Sequence, residues 1–227
     1  MRLNRHGVAG SALYLLLGLG WVLATDPGPT LPIACWFVIV AAAGTLVPGV
    51  ANQVSLARAY LAAPALAYSL VPGRLGFLAV VLAIAGVTDL VDGTIARRFD
   101  HPSALGGGLD PVVDGIFLGA VALGLAAGGA FPLWLGLVVV GRYLLPALAG
   151  AALIASHRRP ELRHTLTGQV STALIIILLG GICLFRGLNQ DSGTLVGAAQ
   201  IVIPVASIAT FVHLAVVSGR RAGPTPA

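Results

Sequence analysis

Apolar residues in this chain run in long blocks rather than alternating with polar ones, and glycine, proline or charge marks the ends of the blocks. A helix needs about 17–25 mostly apolar residues to cross the hydrocarbon of a bilayer. Eight blocks of that order are read near 9–25, 30–48, 56–72, 75–92, 111–129, 131–155, 167–185 and 194–217. The connections between them are short, and no tandem repeat is visible. An even number of spans predicts that both termini lie on the same side of the membrane.

Composition supports lipid as the solvent. Hydrophobic residues make up 57% and charged residues 9%, with a mean hydropathy of +0.96, whereas a soluble domain carries roughly 25% charged residues. A soluble enzyme, a secreted disulfide scaffold and a disordered chain are excluded. The expected fold is an all-α polytopic membrane protein. Residues 219–227, ending in Gly-Pro-Thr-Pro-Ala, are expected to be a disordered cytoplasmic tail. The first block also has features of a signal peptide, with Arg2 and Arg5 before it and small-residue spacing at Val22-Leu23-Ala24. Cys35 and Cys183 lie in apolar runs and are expected to be buried, reduced thiols.

All 13 basic residues are arginine. Ten of them (Arg2, Arg5, Arg58, Arg97, Arg98, Arg158, Arg159, Arg163, Arg220 and Arg221) fall on the side that carries the termini. Arg74 and Arg186 fall on the other side, and Arg142 falls inside a span. Arginine-rich loops stay cytoplasmic, so this face is expected to be the cytoplasmic face of the cell membrane. The net charge of +5 is then a matter of topology. No basic module interleaved with aromatics accompanies it, and a nucleic-acid partner is not expected.

Five of the eight acidic residues stand within TDLVDGTIARRFDHPSALGGGLDPVVDG, which leaves the fourth span and enters the fifth, and four of them, Asp89, Asp92, Asp110 and Asp114, fall at helical spacing. Asp89 and Asp92 share a helix face, as do Asp110 and Asp114. Pro111 suits the first position of the fifth helix, with Asp110 placed to cap it. A glycine-rich turn between two antiparallel helix ends then brings all four carboxylates together. Two such charges about 5 Å apart repel by roughly 3 kcal/mol at an effective dielectric near 20, so the cluster calls for protons or cations. Hard oxygen ligands at the membrane edge suit Mg²⁺ or Mn²⁺, ions that typically bridge to substrate phosphates. Asp100 is expected to be an ordinary loop aspartate.

The spacing Asp89-x2-Asp92-Gly93-x2-Ala96-Arg97-x8-Gly106-x3-Asp110-x3-Asp114 resembles the signature of the CDP-alcohol phosphotransferase family. Asn52-Gln53-Val54-Ser55-Leu56-Ala57-Arg58 is similar to that family's segment before its first core helix, and the last six spans match its six-helix core, so the resemblance implies two extra N-terminal helices over 1–50 and a six-helix unit over 51–218. The resemblance implies an integral membrane phosphatidyltransferase of phospholipid synthesis. It would move a phospho-alcohol group from a CDP-alcohol, such as CDP-diacylglycerol, to a second alcohol and release CMP. It implies two ions, Mg²⁺ or Mn²⁺, on Asp89, Asp92, Asp110 and Asp114, with Asp114 also the general base. Gly93, Arg97, Ser103 and the segment Asn52, Gln53, Val54, Ser55 would hold the CDP moiety. A homodimer is implied as well. Locally, Gly115-x3-Gly119 and Gly124-x3-Gly128 offer a small-residue stripe either for that contact or for packing within the chain.

The acceptor is less constrained. Arg142, Arg158, Arg159 and Arg163 are candidate ligands for an acceptor phosphate, which favours glycerol-3-phosphate or inositol phosphate. Arg142 has a second reading as the partner of a motif aspartate. Leu162-Arg163-His164-Thr165-Leu166-Thr167-Gly168-Gln169 matches only partly the stretch found in phosphatidylglycerophosphate synthases. Transfer to phosphatidylglycerol, the cardiolipin synthase reaction, is the alternative. From another class, a cation or solute transporter would spread ionisable groups through several spans near mid-membrane, and here they gather at one edge.

Overall fold

In the computed structural model, residues 5–27, 30–99, 104–155 and 166–221 are described. Within these, the side chains at 6, 51, 72, 89–99, 104–108, 150–155, 166 and 217–221 lie outside the description. The described residues form eight α-helices and no strand: α1 Arg5–Thr25, α2 Thr30–Gly44, α3 Val50–Ser69, α4 Leu75–Phe99, α5 Ala104–Ala127, α6 Leu133–Ala155, α7 Leu166–Gly187 and α8 Gly193–Arg221. A single 3₁₀ turn, Pro72–Arg74, links α3 to α4. The number and order of helices follow the apolar blocks, and the protein is an all-α polytopic membrane protein.

Among the described residues, four stretches are long and apolar enough to cross a membrane by themselves: Gly7–Thr25, Leu109–Ala127, Thr167–Gly187 and Gly193–Val216. Shorter apolar stretches occur at Thr30–Gly44, Leu75–Thr88 and Leu133–Ala149. Helix α3 belongs to neither group, because its first half carries Asn52, Gln53, Ser55 and Arg58. It can be polar because it is enclosed, packing most widely against α5 and α4 and also against α2 and α1. Alanines at 57, 59, 62, 63, 65 and 67 are all buried, and their small side chains let neighbouring backbones come close.

The main core is built from Leu78, Leu82 and Ala85 of α4, Phe117, Val121 and Leu125 of α5, Leu135 and Val139 of α6, Ile175 and Leu179 of α7 and Ile203 of α8. A second core joins Ile33, Phe37 and Val40 of α2 to Leu56, Tyr60 and Ala63 of α3. Two indoles fasten the N-terminal helices to α3. Trp21 Nε1 donates to Tyr68 Oη at 2.6 Å, and Trp36 Nε1 donates to the Ala59 carbonyl at 2.8 Å. Leu16, Leu23, Ile177 and Ile201 face outward, as lipid-facing positions should.

The small-residue stripe on α5 is used within the chain. A Cβ added to Gly115 would come within 2.7 Å of Tyr143 Cβ on α6, and one on Gly128 within 2.6 Å of the Ser69 carbonyl on α3. Cys183 is buried as expected, but Cys35 is exposed on the outer side of α2, where apolar character signals lipid contact rather than core.

Helix ends depart most from expectation. Helix α3 begins at Val50, so Asn52–Ser55 are its first turns rather than a segment preceding it. Helix α4 continues to Phe99, and α5 already begins at Ala104. Gly106–Gly108 are therefore helical rather than a turn, Pro111 lies inside α5, and Asp110 does not cap it. Backbone at membrane depth must satisfy its own hydrogen bonds, which favours carrying a helix through glycine and proline that would end it in water. Helix α8 runs to Arg221, three residues into the stretch expected as tail, and residues 222–227 lie outside those described.

Candidate active site

Antiparallel succession puts the start of α3, the end of α4 and the start of α5 on one side of the bundle. Asp92 stands seven residues before the end of α4, about 10 Å of helix, and Asp110 six residues after the start of α5, about 9 Å. The acidic positions of both helices thus lie at similar depth. Asp110 and Asp114, one turn apart, face α3.

There they meet Arg58. Its Nη1 lies 3.2 Å from Asp114 Oδ1, and its Nη2 lies 3.8 Å from Asp110 Oδ1. Arg58 is 1% exposed, while the Asp114 and Asp110 side chains are 11% and 27% exposed. One guanidinium therefore bridges two carboxylates from the buried side, and Asp110 opens toward the surface. Sequence reasoning placed Arg58 among the topological arginines and missed this. The available signal was its position eight residues into a helix, about 12 Å beyond Val50, which is too deep for an arginine of the membrane edge.

Asn52, Gln53 and Ser55 are buried at the start of α3, and Val54 is half-buried. Asn52 Nδ2 donates to the Pro48 carbonyl at 2.6 Å, and Gln53 Nε2 donates to the Gly44 and Val47 carbonyls at 2.9 and 2.8 Å. These amides tie the α2–α3 turn to the site-bearing end of α3. Asp89, Asp92, Gly93 and Arg97 are on the last turns of α4, and their side chains lie outside the described residues. Ser103, Arg158, Arg159 and Arg163 lie outside the described residues altogether.

Arg142, on α6, is 4% exposed. Its Nη1 donates to Thr210 Oγ1 at 3.0 Å and to the Ala206 carbonyl at 3.2 Å, and its Nη2 donates to the Gly168 carbonyl at 3.2 Å. Ser171 Oγ also donates to the Ala206 carbonyl, at 3.1 Å. Arg142 thus joins α6 to α7 and α8. Its reading as partner of a motif aspartate is corrected: Arg58 occupies that place.

Among the described residues, no three His, Cys, Asp or Glu side chains stand together as a metal site. The described half of the expected set is nonetheless suited to a hard divalent cation. It offers two carboxylates a turn apart, one of them open to the surface, and all-oxygen donors of this kind match Mg²⁺ or Mn²⁺.

The chain is 31% identical over 147 residues to the probable cardiolipin synthase (CMP-forming) of Drosophila melanogaster, covering 57% of this chain and 45% of that protein. It is 34% identical over 97 residues to the cardiolipin synthase (CMP-forming) of Streptomyces coelicolor, covering 43% and 45%. With the human cardiolipin synthase (CMP-forming) it shares 30% identity over 144 residues, covering 56% and 48%. The chain spans less than half the length of each of these relatives. Residues 48–213, from just before α3 into α8 and including both acidic helix ends, match the family model described as CDP-alcohol phosphatidyltransferase, and the chain belongs to that family.

Proposed function

We propose that this protein transfers the phosphatidyl group of CDP-diacylglycerol to the free hydroxyl of phosphatidylglycerol and releases CMP. The observation that carries the reading is the paired carboxylates Asp110 and Asp114 on one face of α5, both met by the buried Arg58 of α3. The relatives' names favour this acceptor over glycerol-3-phosphate and inositol phosphate. Cardiolipin carries two phosphatidyl groups on one glycerol, so a CMP-forming route to it adds one from a CDP-activated lipid to phosphatidylglycerol.

In this reading the acceptor oxygen attacks the phosphorus that bears diacylglycerol, its bond to the CMP phosphate breaks, and CMP leaves with the electron pair. Asp114 takes the hydroxyl proton. A base so placed contributes about 10²–10⁴ in rate. Asp89, Asp92, Asp110 and Asp114 would hold two Mg²⁺ or Mn²⁺ ions, which when bound supply neutralising charge to the pyrophosphate. Gly93, lacking a side chain, lets the nucleotide approach the α4 backbone. Arg97 offers a planar fork to phosphate oxygens. Ser103 and the Asn52–Ser55 turns complete the CDP site, and Arg142, Arg158, Arg159 and Arg163 receive the acceptor's phosphate. The site faces the cytoplasm, both termini lie on that side, and the protein works as a homodimer.

The test is CMP release by purified protein given CDP-diacylglycerol, Mn²⁺ and, separately, phosphatidylglycerol, glycerol-3-phosphate or inositol phosphate. Cardiolipin formed only with phosphatidylglycerol supports the reading. A product from another acceptor corrects the acceptor, and no CMP from any of the three rejects the transferase.

A further inference from the structure

Arg58 is the most deeply buried charged side chain among the described residues. An arginine that only sets topology stays at the membrane edge with its head in water. Burial at 1% exposure is costly unless anions compensate it, and here Asp114 and Asp110 do, at 3.2 and 3.8 Å. Each Nη meets a different carboxylate, so the rigid guanidinium fixes the two acids relative to each other. The same charge has a second consequence. A divalent cation on these carboxylates sits close to a fixed positive charge that cannot leave and cannot lose its proton. Loading of the ion is thereby opposed until an anion arrives beside it.

We propose that Arg58 is a positioning residue that couples metal loading to the donor: it holds Asp110 and Asp114 in place without the ion and keeps ion binding weak until the pyrophosphate of the CDP-lipid adds its negative charge. This rests on the metal-dependent reading above. Coupling of this kind is reciprocal, so the ion and the CDP-lipid strengthen each other's binding by the same factor.

The experiment measures Mn²⁺ affinity of the full chain in detergent by titration calorimetry, with and without CDP-diacylglycerol and with no acceptor present. Three proteins are compared: unmodified, Arg58→Gln and Arg58→Lys. Arg58→Gln is expected to bind Mn²⁺ alone at least tenfold more tightly and to lose most of the strengthening by CDP-lipid. Arg58→Lys keeps the charge but cannot bridge two carboxylates. It should leave Mn²⁺ affinity within threefold of the unmodified protein and lower kcat tenfold or more, with little change in donor KM. Unchanged or weaker Mn²⁺ binding by a folded Arg58→Gln protein overturns the coupling. If that variant does not fold, normal kcat in Arg58→Lys overturns the positioning role. An unmodified protein that binds no Mn²⁺ with or without donor rejects the metal reading itself, which distinguishes that failure from failure of the Arg58 role alone.

Discussion

Among the described residues two arginines are buried, and they are held in opposite ways. Arg58 is met by two carboxylates, whereas Arg142 is met by two backbone carbonyls and a threonine hydroxyl drawn from α7 and α8. No carboxylate lies within 4 Å of Arg142 among the described residues. A cation bound by anions has most of its charge cancelled, and its position is fixed by acids that have work of their own. A cation bound by neutral dipoles keeps its full charge while fastening three helices. Its Nε, buried and without a hydrogen-bond acceptor among the described residues, adds one unused donor. Arg58 is therefore suited to ordering a site, and Arg142 to joining helices while presenting positive charge to an anionic acceptor.

The largest effect is expected on the Arg58 side. Asp114→Asn preserves volume but cannot take the acceptor's proton, and it should lower kcat by about 10²–10⁴ while CDP-lipid binding persists. Turnover within about tenfold of the unmodified enzyme rejects Asp114 as base. Under the proposed mechanism, Asp110→Asn removes a metal ligand rather than the base. It should weaken the response to Mn²⁺ and the affinity for CDP-lipid together, by about tenfold, and it leaves Arg58 its closer partner Asp114. Stripping divalent ions with a chelator should stop the unmodified enzyme, and adding back Mn²⁺ or Mg²⁺ should restore it. Activity that persists in the chelator removes the metal from the mechanism.

On the Arg142 side the effects are smaller and fall on the acceptor. Arg142→Lys keeps the charge and loses the planar fork, so KM for phosphatidylglycerol should rise by about tenfold with KM for CDP-diacylglycerol unchanged. Equal damage to both substrates would collapse the distinction between the two arginines.

The comparison also shows what the chain made legible and what it hid. The eight helices follow from apolar blocks punctuated by charge, and the shared face of Asp110 and Asp114 follows from their four-residue spacing. The helix boundaries did not follow. Gly106–Gly108 and Pro111 read as a turn and a helix start, yet α5 runs through them, because lipid offers the backbone no alternative partner. Arg58 was hidden for a related reason. Counting arginines by side of the membrane ignores depth, so a residue two turns into α3 was grouped with those at the surface. Arg142 stood out as deep, but which neighbours would satisfy it depended on how α7 and α8 pack around α6, and no spacing within one helix encodes that.

The smallest expected effect is also the most direct check that the two environments are separate. Thr210 Oγ1 accepts from Arg142 Nη1 at 3.0 Å and donates to the Ala206 carbonyl at 2.8 Å. Thr210→Val keeps the β-branched shape and removes the oxygen. Arg142 Nη1 still reaches the Ala206 carbonyl, so the loss should stay near the low end for a hydrogen bond to a charged group, about 1–2 kcal/mol. For a chain of this length that lowers Tm by a few degrees, about 2–4 °C per kcal/mol. Since Thr210 touches no acidic residue among those described, the Mn²⁺ dependence of turnover should not move. Thermal unfolding in detergent and an Mn²⁺ titration of activity, run on the same preparation, read both quantities. A Thr210→Val protein with full thermal stability but altered Mn²⁺ dependence would mean that Arg142 belongs to the acidic site after all.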